Sequence, residues 1–387
     1  MKVGLGLVPQ NYPDWQRYVA DDWTSGPQVP DAEVIDDSLA LARLADTLGL
    51  DSVWTVEHHF TPYIMVPNPI QLMSWVAGAT SRVDVGTMVT VLPWHHPLRL
   101  AAEVSMLDIL LGERQLYLGM GRGTSPTEFD AFGIPRETTR GQFAESLEVL
   151  KLALTEERFS FRGEHYTIPD VTTRPRPRSS RRLVDHMLMA WGSPESLPVA
   201  AHAGLQPLFI PQRGWGDYAT EMRQFNAIRA EHGWAPANAT AAVWTFCAPT
   251  RAEVEERGVR YITEYADSSR RHYLLDKPEV FRGVKGYERY ANRAEALARS
   301  VAEGLDPRQA ALSTMTSIYV IGTPDDVLEQ LEGICRALAV EHLILVCQFG
   351  TMPRSDAERS LRLITEHVQP TLRQLQLTPV AEVPVAS

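Results

Sequence analysis

Short apolar runs alternate along this chain with longer stretches whose apolar positions recur at helical spacing. Val3–Val8, Ser52–Val56, Val83–Leu92, Gln115–Gly119, Met187–Ala190, Pro207–Ile210, Ala241–Cys247 and His342–Cys347 read as strands. The helical patterns fall between them. They are Ile35–Leu48 (with Gly49 as its stop signal), Ile70–Thr80, Pro97–Leu111 (Pro97 at a start position), a stretch from about Gly141 to Thr155, Ser193–Gly204, Tyr218–His232, Arg251–Tyr265 and Ser355–Leu375. Strand followed by helix, repeated, implies a parallel sheet with right-handed crossovers. Eight such units close most simply into a (β/α)8 TIM barrel, with residues 1–387 as one domain. An open doubly wound sheet is the alternative.

Two stretches interrupt the rhythm, near 157–184 and 267–314. In the first, Phe159–Tyr166 (FSFRGEHY) reads as a small hairpin, and TTRPRPRSSRR follows it. Those arginines, spaced by prolines, suggest a stiff surface connection rather than a nucleic-acid arm. The second stretch (RRHYLLDKPEVFRGVKGYERYANR) is rich in charge and aromatic rings, and a strand-like SIYVIG comes after it. So charged a segment is poor core material, and after a late barrel strand it would serve as a mobile lid.

Composition narrows the partners. A net charge of -11 argues against nucleic acid and anionic membranes. The three cysteines have no metal-like spacing and read as reduced core thiols. MKVGLGLVPQ does not read as a signal peptide, and no apolar run approaches the roughly 20 residues of a membrane span. These features lead us to expect a cytoplasmic protein.

Candidate chemistry gathers where strands end, the place barrel enzymes put their reactive groups. VEHHF (56–60) ends the second strand and LPWHHPLR (92–99) the third, each with a histidine pair. No H-x-H or H-E-x-x-H spacing accompanies them, so no metal is expected. GMGRGTSP (119–126) follows the fourth strand. Its G-x-G-x-G spacing is not the dinucleotide fingerprint, but an arginine between glycines suits an anion. MAWGSPES (189–196) follows the fifth, where Ser193 and Ser196 at a helix start would make a phosphate site.

Taken in order, EHHF, GTMVTVLPWHHPLRLAAEVSMLD, LGMGRG, FRGEHY and IGTPDDVLEQL resemble the bacterial luciferase-like flavin monooxygenases over nearly the whole chain. The resemblance implies a barrel that binds FMN at its carboxyl face, with reduced flavin supplied by a separate reductase, and a homodimer. His58 would be the base beside the flavin, and Glu128 matches an acidic position of the luciferase α subunit. Arg122 would hold the phosphate, helped by Thr124, Ser193 and Ser196, while Gly121 and Ala190 would adjoin the cofactor. A cis peptide without proline is expected at Met88–Val89. Trp54, His59, Trp94, Trp191 and Tyr265 are candidate walls of the substrate pocket. Gly121 stands where luciferases carry a reactive cysteine and Gly192 where they carry an acidic residue, which speaks against light emission.

The implied reaction passes from reduced FMN and O₂ through a C4a-peroxyflavin to an oxygenated small organic substrate, with His58 moving a proton. A deazaflavin-dependent oxidoreductase on the same fold and a metal-dependent barrel hydrolase are the alternatives. A flavin-binding subunit without catalysis is a third, against which His58 and Arg122 together argue.

Overall fold

The alternation written in the sequence closes into a ring. The computed structural model describes residues 1–191, 195–313, 318–377 and 380. In chain order its strands are β1 (Lys2–Leu7), β2 (Ser52–Thr55), β3 (Asp84–Val91), β4 (Leu116–Gly121), β5 (Phe159–Arg162), β6 (Thr167–Val171), β7 (Met187–Ala190), β8 (Gln206–Phe209), β9 (Ala239–Cys247), β10 (Tyr319–Gly322) and β11 (Val340–Val346). Parallel pairing runs β1–β2–β3–β4–β7–β8–β9–β11 and returns from β11 to β1, a closed eight-stranded (β/α)8 barrel. The eight strands expected from the hydrophobic pattern are these eight, and the open-sheet alternative falls because β11 pairs with β1 at Lys2↔His342.

Helices cover the outside. Pro97–Leu111 has the expected bounds, and its glycine stop, Gly112, has φ 68°. The Asp31–Leu48 helix ends at Gly49 in the left-handed region. Several helices go beyond the expected units, among them Pro324–Leu338, after β10, where Thr323 and Asp326 form a capping box. β10 lies outside the ring, alongside the carboxyl half of β9, with Tyr319 opposite Trp244.

The amino-terminal half of the barrel interior is plugged by rings. Trp54 on β2 stacks on Tyr117 of β4 with centroids 5.3 Å apart, and His342 of β11 meets both edge-on. The plug needs a bare backbone opposite it: a Cβ on Gly86 would come within 2.3 Å of the Trp54 ring. Its polar atoms are paired, Trp54 Nε1 donating to Ser52 Oγ (2.8 Å), which sits 2.7 Å from His342 Nε2. Burial pushes the His342 imidazole down to about 3, so it stays neutral. Trp54 is therefore barrel core and not a pocket wall, which corrects the expectation for it. Strand alternation aims it inward at a level below the strand ends.

The interruptions are ordered too. β5 and β6 form the expected antiparallel hairpin. Arg182 pairs with the buried Asp108, Arg176 donates to the carbonyls of Ala153 and Leu154, and Arg174 pairs with Glu157. The arginine run thus binds the connection to the barrel wall. The second insertion is mostly helical: Val259–His272 runs on into it, and Glu288–Ala302 and Pro307–Ser313 follow. Phe281, Tyr287, Ala294 and Leu297 are buried. The expectation of poor core material is corrected here, because aromatic and alanine positions hidden among the charges pack against the barrel. Thr314 lies outside the described residues.

Candidate active site

The loops at the carboxyl ends of the strands, together with the second insertion, enclose a cavity of about 960 Å³ measured out to its mouth. The β4 loop contributes Gly121, Arg122, Gly123 and Thr124 to its lining. Gly123 has φ 80°, and a Cβ there would press within 3.1 Å of Phe129, Val91 and Trp94, so only glycine permits this turn. Arg122 makes no hydrogen bond or ion pair among the described residues, and its Nη1 is shielded from water without a partner. Burial lowers its pKa, and the neighbouring Arg140 lowers it further. The Tyr287 ring lies 5.9 Å from the guanidinium carbons of both Arg122 and Arg136. The Arg140 Nε is likewise buried and unpartnered. Arg140 pairs through Nη2 with Glu195 at 3.5 Å, so the cavity-lining guanidinium with an orphaned donor is that of Arg122, a group suited to an anion.

Arg140 was missed by the sequence reading, since it stands in an ordinary helical stretch 18 positions beyond Arg122. Ser196 and Ala190 line the same cavity. Ser193 lies outside the described residues, as does Gly192. The Met88–Val89 peptide is cis, as expected, and both residues line the cavity.

His58 stands on the opposite wall within a polar network. Its Nδ1 lies 3.0 Å from Glu128 Oε1, which also accepts the main-chain N–H of His59 at 2.7 Å. Glu128 is fully buried. Burial alone would raise its pKa, but the contacts with His58 and His272 bring it down to about 2. An ionised Glu128 fixes the tautomer: His58 donates from Nδ1 and keeps the Nε2 lone pair, which accepts the Tyr273 hydroxyl at 3.1 Å. His272 completes the group, its Nδ1 2.7 Å from Thr61 Oγ1 and its Nε2 3.4 Å from Glu128 Oε1. Burial pushes the His272 imidazole down to about 4 against the pull of Glu128, so it is neutral.

Candidate ligand atoms of His58, Glu128 and His272 lie within 4.8 Å of one another, close enough to hold a metal ion. The His59 main-chain N–H donates to Glu128 Oε1, while Glu128 Oε2 is buried without a hydrogen-bond partner. The Glu128–His58 contact orients the imidazole as a base would need.

His59 turns away from this wall. Its Nε2 lies 3.3 Å from Glu57, and its ring meets Phe132 and Trp94 edge-on at the rim. It lines a separate surface cleft with Phe60 rather than the main cavity, contrary to the pocket role expected of it. The buried Glu57 is clamped by His95, whose Nε2 lies 2.8 and 3.0 Å from its two oxygens, and by the Val91 N–H at 2.7 Å. Trp94, Trp191 and Tyr265 do line the main cavity. So do Tyr273, Tyr287 and Tyr290 of the insertion and Trp244 of β9, which the sequence reading left unassigned. The aromatic clustering of RRHY and GYERY was the available signal.

Fold and site together define a (β/α)8 barrel whose carboxyl-face cavity is walled by aromatic rings and holds the Arg122 guanidinium. The chain belongs to the luciferase-like monooxygenase family, whose model matches residues 17–342. Among curated relatives, an uncharacterized Sinorhizobium fredii protein, y4vJ, is 38% identical over 138 residues, 36% of this chain and 39% of the relative, so the match spans well under half of that protein. The alkanal monooxygenase alpha chain of Photobacterium leiognathi is 26% identical across 89% of this chain and 95% of its own length. The crystal structure of monooxygenase RslO1 from Streptomyces bottropensis superposes with a TM-score of 0.74 at 26% identity, covering 96% of this chain and all of that one (100%). Two further structures share the fold. The oxygenating constituent of 3,6-diketocamphane monooxygenase from Pseudomonas putida, in complex with FMN, has a TM-score of 0.71 at 21% identity and covers 98% and 100% of the two chains. The coenzyme F420 dependent tetrahydromethanopterin reductase from Methanopyrus kandleri has a TM-score of 0.64 at 17% identity and covers 96% and 99%. No helix among the described residues is long and apolar enough to cross a membrane.

Proposed function

We propose that this protein is the oxygenating component of a two-component monooxygenase, taking reduced FMN from a separate reductase and O₂ to oxygenate a small organic substrate. The observation that carries the reading is Arg122: a guanidinium at the cavity wall, without a hydrogen-bond or ion-pair partner among the described residues, in a loop whose turn only glycine permits at Gly123. Arg122, with Thr124 and Ser196, would hold the phosphate. Gly121, Ala190 and the Met88–Val89 segment would meet the remainder of the cofactor. Bound reduced flavin supplies the activation of O₂.

The chain's own residues do the rest. Glu128 holds His58 with its Nε2 lone pair available, so His58 can take a proton and return it through Tyr273, whose hydroxyl faces the cavity. The aromatic walls from the barrel and the insertion keep water from the reacting centre.

A deazaflavin is the second reading, favoured by the F420-dependent fold relative. The two separate cleanly in one assay. Supplied with reduced FMN by a reductase, the protein should consume O₂ and yield oxygenated product; reduced deazaflavin should support neither. Hydride transfer from the deazaflavin without O₂ uptake would overturn the proposal. Gel filtration with light scattering tests the homodimer, and fractionation of the producing cells tests the cytoplasmic location.

A further inference from the structure

The second insertion touches three successive residues of the β4 loop. The Tyr287 ring lies 5.9 Å from the Arg122 guanidinium carbon, and its hydroxyl donates to the Gly123 carbonyl at 3.4 Å. The Tyr290 hydroxyl stands 3.3 Å from Thr124 Oγ1. Gly286, at φ 88°, makes the turn that delivers Tyr287. Tyr287 is 1% exposed, and its hydroxyl also meets Thr139, the first residue of the helix after this loop's own short one. Its ring is thus held in place from the hydroxyl end.

An anion site makes two conflicting demands on its cation. The guanidinium must stay unpaired until the ligand arrives, yet a long side chain left free to wander binds weakly, because the ligand must then order it. A carboxylate would hold Arg122 but also neutralise it, and the charge of Glu195 already bears on it. An aromatic ring within about 6 Å attracts a guanidinium without using up its N–H donors. Arg122 meets Tyr287 in this way, and its Nη1 has no hydrogen-bond partner among the described residues. Arg136 lies at the same 5.9 Å from the ring, and its Nη1 donates to the Val280 carbonyl at 2.7 Å, which ties the insertion down beside it.

We infer that Tyr287 is a positioning residue for Arg122 and thereby sets a preference for a phosphorylated flavin over its dephosphorylated form. The inference rests on the reading of Arg122 as the phosphate ligand. It adds that the second insertion, far along the chain from the β4 loop, takes part in choosing the cofactor.

Fluorescence titration of the full chain with FMN and with riboflavin tests it. The unaltered protein should bind FMN at least about tenfold more tightly than riboflavin. Tyr287→Leu should cut that ratio about fivefold or more, while riboflavin affinity stays within about threefold. Tyr287→Phe keeps the ring and loses only the hydroxyl, so it should hold the ratio within about twofold of the unaltered protein. A ratio that survives Tyr287→Leu, or that falls equally in Tyr287→Phe, overturns the inference. Should Tyr287→Leu fail to fold, Tyr287→Met, equally without a ring, takes its place. Equal affinity of the unaltered protein for the two flavins sinks the phosphate reading itself; a preference that Tyr287→Leu leaves intact sinks the positioning role alone.

Discussion

Replacing Arg122 with Met should move two quantities in opposite directions. In the ligand-free protein this guanidinium is half-buried, carries an unpartnered Nη1 and lies near the like charge of Arg140. An unsatisfied donor costs about 1–3 kcal/mol, and partial exposure places Arg122 at the low end, about 1 kcal/mol. Removing it should leave apoprotein stability unchanged or raise it by that amount, equivalent to about 1 °C for a chain of 387 residues. With FMN the sign reverses. Two charge-assisted hydrogen bonds to a phosphate contribute about 2–4 kcal/mol, so the dissociation constant should rise roughly 30- to 1000-fold. Flavin-fluorescence titration reads the affinity, and thermal unfolding of the flavin-free protein reads the stability. Affinity within about threefold of the parent would remove Arg122 from the phosphate site. A drop of several degrees in the apoprotein would show instead that its charge supports the fold.

Other substitutions probe the remaining parts. His58→Ala should keep FMN affinity and cut product formation by roughly 10²–10⁴, read in a reductase-coupled assay; activity within a few-fold would end its role as base. Glu128→Gln removes the charge that fixes the His58 tautomer and should lower turnover roughly 10²-fold at unchanged FMN affinity. Glu57 and His95 predict a pH window. Although burial opposes both charges, the hydrogen bonds from His59, His95 and the Val91 N–H lower the pKa of Glu57 from 4.5, and Glu57 raises that of His95 from 6.5. The depressed carboxylate adds stability above pH 4.5 that is lost as pH falls through its folded value; the raised imidazole adds stability below pH 6.5 that is lost as pH rises through its own. Denaturant titrations should therefore show the His95→Gln defect largest near pH 5–6 and shrinking by pH 9, and a defect that grows with pH would refute the pairing. Trp54→Ala should cost about 3–5 kcal/mol in the same titrations yet keep its FMN affinity, as a core residue below the site must.

What the sequence determined by itself is the local periodicity and the order of units. Buried parallel strands must be short and apolar throughout, and their covering helices must repeat every 3.6 residues, so β1 to β4, β7 to β9 and β11 stood out before any contact was known. Strand ends then located His58 and Arg122, because a barrel exposes its reactive groups only there. Tertiary structure decided whatever depends on distance through space. Trp54 on β2 and Val56 just past its end stand two residues apart, yet one plugs the barrel and the other lines the cavity. Glu128 meets His58 across 70 residues and Tyr273 meets it across 215, separations over which no spacing rule operates. The second insertion shows the limit most plainly. Composition described its charged residues, but the tyrosines that complete the site are set by how its helices dock. Docking depends on burial shared with distant strands, a quantity that no local pattern encodes.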